Sequence, residues 1–244
     1  MNLDKNTVLI TGGGSGIGLA LAKEYLIHNS TVIICGRDIN KLITVQKELP
    51  QIKIITCDIT DDNDVLNLLK TIKEKYKDIN ILINNAGIQN NYEFTDTKEH
   101  SSLITNELNI NLLAHLKLID HFIPILKEKK NSAIINISSS LAFVPKKSAP
   151  VYCASKAAIH IFTKAIRYQL ENTYIKVFEI IPPLVDTNMT KGRGKSKISP
   201  EELVKEALAN IESNNYEIKI GKSKILLFLD RFLPFLAEKI IKDA

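Results

Sequence analysis

The sequence of 244 residues contains no tryptophan, few cysteines and only 6% aromatic residues. Cys35, Cys57 and Cys153 lie far apart and show no CxxC or Cys/His ligand spacing, which argues against a disulfide framework and a structural zinc site. The five histidines form no HExxH or similar ligand pattern, so no metal site is predicted. This use of cysteine is typical of a reducing compartment.

Long hydrophobic runs and an excess of one charge are also missing. No stretch reaches the ~18 consecutive apolar residues that a spanning helix needs, and the N-terminus shows no secretory signal. We therefore expect a cytoplasmic protein. The net charge is +5, from 32 basic and 27 acidic residues, and these alternate along most of the chain, so nucleic acid is not a predicted partner.

What the sequence does contain is a regular alternation of short β-branched runs and stretches with helical periodicity. The strand-like runs lie near residues 8–10, 31–35, 52–56, 81–83, 133–137, 175–180 and 217–220. Repeated strand–helix–strand units predict a parallel sheet with helices on both faces. We predict one doubly wound, Rossmann-type α/β domain of about seven strands over residues 1–244, ending in a helix at about residues 223–241.

Five of the ten glycines lie at residues 12–18, between the first predicted strand and the first helix. A glycine-rich turn in this place presents backbone N–H groups and the positive helix end to a phosphate. The spacing matches neither GxGxxG nor the Walker form, so a tight turn that needs glycine only for packing is the alternative. We predict that a dinucleotide is held by Gly12, Gly14, Ser15, Gly16, Ile17 and Gly18.

The residues after the second strand bear on the choice between NAD and NADP. Gly36 stands at the strand end and Arg37 follows it. An arginine offers a planar fork to a 2′-phosphate, whereas an acidic residue holds the 2′-hydroxyl of NAD. NADP(H) is therefore favoured over NAD(H). In the alternative, the strand ends one residue later, Asp38 is the NAD-type acid, and Arg37 is simply solvated.

Tyr152 and Lys156 are four residues apart in a predicted helix after the fifth strand. At this spacing the two side chains share a helix face, at the sheet edge where such folds bind ligands. An ammonium group beside a phenol lowers the phenol's pKa, so we expect Tyr152 to exchange a proton near neutral pH. Ser139 ends the preceding strand, 13 residues before Tyr152. Alone, such a pair is more often a solvated helix face.

In order and spacing, these motifs make residues 7–187 resemble the short-chain dehydrogenase/reductase family. The resemblance rests on Thr11-Gly12-x-x-x-Gly16-x-Gly18, Asp58, Asn84-Asn85-Ala86-Gly87, Asn111, Ser139 and Tyr152-x-x-x-Lys156. Within the family, residues 86–89, 141–143 and 182–187 are similar to those of the DltE-type oxidoreductases. The chain departs from many relatives at Pro182-Pro183, where they have Pro-Gly, which predicts a stiffer turn.

The resemblance implies a catalytic tetrad of Asn111, Ser139, Tyr152 and Lys156. In this tetrad Tyr152 exchanges a proton with the carbonyl oxygen, Ser139 hydrogen-bonds that oxygen, and Lys156 also holds the nicotinamide ribose. Asn111 would position a water. The further implied cofactor contacts are Asp58, Ile59, Asn85, Ala86, Gly87, Val185 and Thr187. The alternatives are a helix cap for Asp58 and a helix-kinking polar residue for Asn111.

These features predict an NADP(H)-dependent oxidoreductase of the carbonyl reductase type, which acts on a small carbonyl compound or alcohol. A non-catalytic NAD(P)-binding sensor or scaffold is the alternative. A mostly apolar substrate pocket is expected from Gln89, Leu141, Phe143, Val144, Leu184 and Met189. The basic loop at residues 191–197 either folds over an anionic substrate or cofactor phosphate or, as favoured here, is a solvated lid.

Two surfaces are predicted to make larger contacts. The C-terminal helix has a wide apolar face, for which packing on its own core or on a neighbouring subunit is favoured over a peripheral membrane contact. The long helices near residues 103–126 and 151–170 are expected to form a homodimer or homotetramer.

Overall fold

The chain folds around one parallel β-sheet, which the computed structural model describes together with its helices over residues 1–95 and 97–243. The strands are β1 Thr7–Thr11, β2 Thr31–Gly36, β3 Lys53–Thr56, β4 Ile81–Asn84, β5 Ser132–Ile137, β6 Ile175–Ile181 and β7 Glu217–Lys219. Their order in the sheet is β3-β2-β1-β4-β5-β6-β7, and every neighbouring pair is parallel. The predicted doubly wound fold is confirmed.

Helices cover both faces of the sheet. They are α1 Gly16–Ile27, α2 Ile39–Glu48, α3 Asp62–Lys75, α4 Ser101–Leu108, α5 Ala114–Lys127, α6 Pro150–Gln169, α7 Pro200–Glu212, α8 Lys222–Phe232 and α9 Pro234–Ile241. A π-helical turn, Asn109–Leu113, joins α4 to α5. No described helix is long and apolar enough to cross a membrane.

The strands are apolar on both sides because a helical layer covers each side. Val8 and Ile10 belong to one core cluster, with Leu21 of α1, whereas Leu9 belongs to the other, with Phe122 of α5. This alternation follows from the pleat of a strand. Since all strands are parallel, the segments that follow β1 to β6 meet at one edge of the sheet.

The C-terminal part differs from the single helix predicted at residues 223–241. The chain forms α8 and α9 instead, with Leu233 between them at φ −142° and ψ 59°. Pro234 explains the break, because proline disfavours helical geometry at the residue before it. The pair buries Leu226, Leu227 and Ala237. Other large apolar side chains stay exposed, namely Ile225, Phe228, Phe232, Leu233, Phe235, Leu236 and Ile240. The predicted packing on the protein's own core therefore accounts for only one face of α8 and α9.

Candidate active site

A cavity of about 420 Å³ lies at the edge of the sheet where strands β1 to β6 end. Its lining includes the glycine turn after β1 and the residues at which strands β2 to β6 end or continue into loops. These are residues 35–37, 57–59, 85–89, 137–141, 182–185 and 187–190. Tyr152 and Lys156 of α6 complete one wall. The fold thus brings together most of the polar residues that the sequence analysis singled out.

The glycine turn is held tightly against the loop that follows β4. Gly12 has a positive φ of 66°, a conformation that glycine adopts without strain, and a Cβ there would lie 3.0 Å from the Ala86 Cα. The Thr11 hydroxyl accepts hydrogen bonds from the backbone N–H groups of Asn85 at 3.0 Å and Ala86 at 3.1 Å. The turn and this loop therefore form one rigid wall of the cavity.

Four of the six predicted cradle residues line the cavity, namely Gly12, Ser15, Gly16 and Ile17. Ser15 occupies the N-cap position of α1 and makes no side-chain cap hydrogen bond. Gly16 also has a positive φ, of 53°, and a Cβ on it would lie 3.1 Å from the Thr187 side chain. The beginning of α1 thus faces the cavity with its backbone N–H groups, as an anion site requires.

Gly14 and Gly18 lie outside the lining. A Cβ on Gly18 would lie 2.5 Å from both the Asn85 Nδ2 and the Gly12 carbonyl oxygen. Gly18 therefore serves the close packing of α1 against the turn, which was the alternative interpretation of the glycines. A Cβ on Gly14 would make only an ordinary 3.7 Å contact with Leu42.

Arg37 and Asp58 stand together at one end of the cavity, with 3.7 Å between Arg37 Nη1 and Asp58 Oδ2. Asp38 is not part of the lining. Its carboxylate caps α2 by accepting hydrogen bonds from the backbone N–H groups of Asn40 at 3.0 Å and Lys41 at 3.2 Å. In this structure Asp38 therefore serves as a helix cap outside the cavity lining.

Asp58 does not cap the following helix, as one alternative had it. Asp61 is the N-cap of α3 and accepts a hydrogen bond from the Asp64 backbone N–H at 2.9 Å. One oxygen of Asp58 accepts bonds from Thr60, at 2.9 Å from the backbone N–H and 2.7 Å from the hydroxyl. Asp58 and the neighbouring Ile59 line the cavity, where the resemblance places the adenine of a dinucleotide.

Tyr152, Lys156 and Ser139 meet in the middle of the cavity wall, and all three are buried. The Lys156 Nζ donates a 2.8 Å hydrogen bond to the Ile137 carbonyl oxygen and lies 5.8 Å from the centre of the Tyr152 ring. The Ser139 hydroxyl accepts a hydrogen bond from the Leu141 backbone N–H at 3.1 Å and lies near enough to the Tyr152 phenol to lower its pKa. The end of β5 thus fixes a hydroxyl beside the phenol.

Burial has the largest effect on the pKa values of Tyr152 and Lys156. It raises the pKa of Tyr152 to about 12, and the nearby Ser139 hydroxyl offsets this only in part. Burial also lowers the pKa of Lys156 to about 8, against the opposing effect of the Glu179 carboxylate. The predicted lowering of the Tyr152 pKa is therefore wrong for this structure, because loss of water outweighs the nearby charges. At neutral pH the phenol keeps its proton and is able to donate it.

Asn111 lies in the π-helical turn between α4 and α5 and is fully buried. Its Oδ1 accepts a 2.8 Å hydrogen bond from the Ile88 backbone N–H, and its Nδ2 donates to the Ile88 carbonyl oxygen at 2.8 Å. It lies outside the cavity lining. Asn111 therefore positions the loop after β4 beside Lys156, and the irregular helix around it agrees with the alternative of a kinked helix.

The remaining predicted residues divide between the cavity and the core. Those in the lining are Asn85, Ala86, Gly87, Val185, Thr187, Gln89, Leu141, Leu184 and Met189. Phe143 and Val144 are not in it. Val144 is fully buried in the cluster beneath α8 and α9, and the Phe143 ring packs on His160 with centroids 4.4 Å apart. Their assignment to the pocket was wrong because the chain turns inward after Ala142.

Sequence reasoning missed a buried pair behind Lys156. The His160 Nδ1 lies 2.8 Å from the Glu179 Oε2, and the Glu179 side chain is completely inaccessible. Two signals were present, since His160 follows Lys156 by one helical turn and Glu179 is an acid within the apolar strand β6. The pair matters to the site because the Glu179 charge opposes the fall in the pKa of Lys156.

These observations fit a nicotinamide dinucleotide. Gly12 and Gly16 line the cavity, and a Cβ on either would press on Ala86 or Thr187, which also line it. The N–H groups at the start of α1 suit a pyrophosphate. Arg37 and Asp58 stand at one end, and the buried Tyr152 and Lys156 stand on the wall where a reacting ring would have to lie.

The model of the family described as short chain dehydrogenase matches residues 6–197. The chain is 39% identical over 224 residues to the uncharacterized oxidoreductase DltE of Bacillus subtilis (strain 168), covering 89% of each chain. A short chain dehydrogenase from Burkholderia cenocepacia J2315, solved in complex with NADP, has a TM-score of 0.87 at 26% identity, with 99% of each chain covered. A Burkholderia phymatum short chain dehydrogenase/reductase, solved with NAD, shares the fold at a TM-score of 0.86 and 17% identity, with 100% of this chain and 98% of that one covered.

Proposed function

The chain belongs to the short-chain dehydrogenase family, and from this premise we propose that it is an NADP(H)-dependent carbonyl reductase. The observation that carries the proposal is the position of Ser139, Tyr152 and Lys156 in the same cavity as the glycine turn after β1. A proton donor and a dinucleotide cradle within one cavity of about 420 Å³ are what the reduction of a small carbonyl compound requires.

The cofactor would be held along the carboxyl edge of the sheet. Gly12, Ser15, Gly16 and Ile17 would take the pyrophosphate, and Asp58 and Ile59 the adenine end. Val185 and Thr187 would contact the carboxamide side. When bound, the nicotinamide supplies the hydride to the carbonyl carbon, or accepts it in the reverse direction.

The protein's own residues would handle the oxygen of the carbonyl group. Ser139 and Tyr152 hydrogen-bond this oxygen, so negative charge that develops on it is stabilised. Tyr152 then transfers its proton to the oxygen and an alcohol results. Because burial raises the pKa of Tyr152 to about 12, the protonated phenol needed for reduction is the prevailing form at neutral pH.

Preference for NADP(H) is supported by the residues that follow β2. Arg37 provides a guanidinium group at the cavity end, and the one acidic neighbour in sequence, Asp38, is engaged in capping α2. Among similar structures, the one from B. cenocepacia was solved with NADP and the one from B. phymatum with NAD, so the proposed preference for NADP(H) rests on Arg37.

The test is a comparison of wild type with Tyr152→Phe in NADPH oxidation with a panel of ketones and aldehydes. We expect the variant to lose about 10²- to 10⁴-fold in kcat/KM, while its affinity for NADPH, from fluorescence titration, changes by less than about twofold. Tyr174→Phe is the matched control because Tyr174 lies outside the cavity lining and is 62% exposed. NADPH binding without turnover of any carbonyl would favour the sensor or scaffold alternative.

A homodimer or homotetramer through α5 and α6 is part of the proposal. Leu113, Ile161 and Tyr168 are large side chains that stay exposed on or beside these helices, and burial against a second copy would remove them from water. Sedimentation velocity should show an oligomer for wild type and a smaller species for Ile161→Glu. A monomeric wild type would contradict this part.

A further inference from the structure

Arg193 differs from the other cations of the loop at residues 191–197. Lys191 and Lys195 are exposed, and the Lys197 Nζ donates to the Thr190 carbonyl oxygen at 2.6 Å. Arg193 instead lines the cavity, and its Nη1 is buried without a hydrogen-bond partner among the described residues. The solvated lid favoured from the sequence therefore describes Lys191 and Lys195 but not Arg193.

The loop is built so that residue 193 enters the cavity. Gly192 and Gly194 both have positive φ, of 76° and 58°, so the backbone reverses on either side of Arg193. A Cβ on Gly194 would collide with the Leu184 side chain of the cavity wall. The Arg193 N–H donates to the Thr190 carbonyl oxygen at 3.0 Å. Arg193 thus sits in a defined turn packed on the lining.

The charged residues that line the cavity carry an excess of positive charge. In the described part of the chain the charged lining residues are Arg37, Asp58, Lys146, Lys156 and Arg193. Asp58 is engaged with Arg37 at 3.7 Å, and Lys156 donates to a backbone carbonyl. Lys146 and Arg193 have no carboxylate opposite them in the lining. The Arg193 side chain is half-buried, but its Nη1 is buried without a partner in the described part of the chain. A bound anion would offset the free energy that this unpaired donor costs.

Arg193 and the proton donor Tyr152 line the same cavity. The positive charge of Arg193 acts on Tyr152 and helps to lower the pKa of that phenol. Glu107 also acts on Tyr152 but is not part of the lining, and burial raises its own pKa. The guanidinium therefore shares the cavity with the proton donor and acts on it.

We propose that the substrate is a carbonyl compound with an apolar chain and an oxyanion group, which the guanidinium of Arg193 binds with support from Lys146. A guanidinium is suited to this task because its planar fork pairs with two oxygens of a carboxylate or phosphate. Leu141, Leu184, Met189 and Ile241 line the space for the apolar chain. The proposal rests on the carbonyl reductase function and narrows its substrate class.

The test uses the full chain with NADPH and a series of straight-chain oxo acids with increasing distance between ketone and carboxylate. The methyl ester of each acid is the neutral comparison, and an oxoalkyl phosphate distinguishes the two kinds of oxyanion. For at least one acid or phosphate, wild type should show kcat/KM at least about 10-fold above the neutral analogue. Arg193→Gln should lower that ratio by about 10- to 100-fold, as expected for a lost hydrogen bond between charged groups.

Two further variants make the result specific. Arg193→Lys keeps the charge without the fork and should retain part of the preference, whereas Lys195→Gln in the same loop should leave the ratio unchanged. Two results would overturn the proposal. If Arg193→Gln lowers turnover of acid and ester equally, Arg193 serves the structure of the loop. If the variant weakens NADPH binding about 10-fold while the acid-to-ester ratio of kcat/KM stays the same, Arg193 serves the cofactor.

A binding measurement separates this proposal from the proposed function. In the presence of NADP⁺, the oxo acid should raise the unfolding temperature of wild type and of Tyr152→Phe, but not of Arg193→Gln, because a ligand stabilises only the protein that binds it. Neutral ketones reduced without any preference for acids would overturn the substrate class alone. Oxo-acid binding that depends on Arg193, without any reduction, would overturn the reductase function and leave the anion site standing.

Discussion

Replacing Gly18 with alanine should destabilise the protein, although alanine is the better helix former by about 1 kcal/mol. The new Cβ would lie 2.5 Å from the Asn85 Nδ2 and 2.5 Å from the Gly12 carbonyl oxygen. To make room, the Asn85 amide has to give up its hydrogen bonds to the carbonyl oxygens of Thr11 at 2.9 Å and Gly12 at 3.2 Å. With about 1–3 kcal/mol for each buried acceptor left without a partner, we expect a net loss of about 2–4 kcal/mol.

Urea and thermal unfolding measure this loss. For a chain of this size each kcal/mol corresponds to about 2–4 °C in Tm, so Gly18→Ala should melt about 5–15 °C below wild type. Gly14→Ala is the matched control in the same turn, because its Cβ would meet nothing nearer than 3.7 Å. Its stability should stay within about 0.5 kcal/mol of wild type.

The two variants also separate packing from cofactor contact. If Gly18→Ala is as stable as wild type, the close approach of α1 to the turn is not as described. If it is stable and yet binds NADPH weakly, Gly18 contacts the cofactor, as the motif alone suggested. A loss of NADPH affinity in Gly14→Ala would return that residue to the cradle.

Two predictions concern the ends of the cavity. Arg37→Ala should weaken NADPH by about 10-fold and NADH by less than about twofold in fluorescence titrations; an equal loss for both would refute the phosphate contact. Glu179→Gln removes the carboxylate that opposes the fall in the pKa of Lys156. The pKa of Lys156 should therefore fall further below about 8. The pH above which kcat/KM for reduction declines should then be lower than in wild type. A pH profile of kcat/KM that does not move, or one that moves equally in the exposed control Glu171→Gln, would contradict this.

The sheet could be predicted because its signal is local and repeated. Runs such as residues 32–35 are apolar at every position, as expected of a strand that is covered on both faces. Once the strands are parallel, the ends of β1, β4, β5 and β6 must share an edge. The meeting of the glycine turn with Ser139, Tyr152 and Lys156 follows from that rule.

Side-chain directions and burial could not be predicted in the same way. Whether Phe143 faces the cavity depends on how the chain turns after β5, and Gly18 needs the position of Asn85 from a distant loop to be understood. The pKa of Tyr152 depends on how completely the phenol is removed from water, which spacing to Lys156 does not reveal. The helix break at Pro234, in contrast, was readable from the rule for residues before proline.

Hydride transfer to a carbonyl, with Tyr152 as the proton donor, can be followed with a deuterium label on the nicotinamide. NADPH that carries deuterium at both hydrogen positions of the reactive nicotinamide carbon is incubated with the protein and a ketone that supports turnover, and the alcohol is examined by mass spectrometry and NMR. The account predicts one deuterium on the carbinol carbon with wild type and almost no labelled product with Tyr152→Phe. An alcohol without deuterium, or equal labelled product from both proteins, would contradict it.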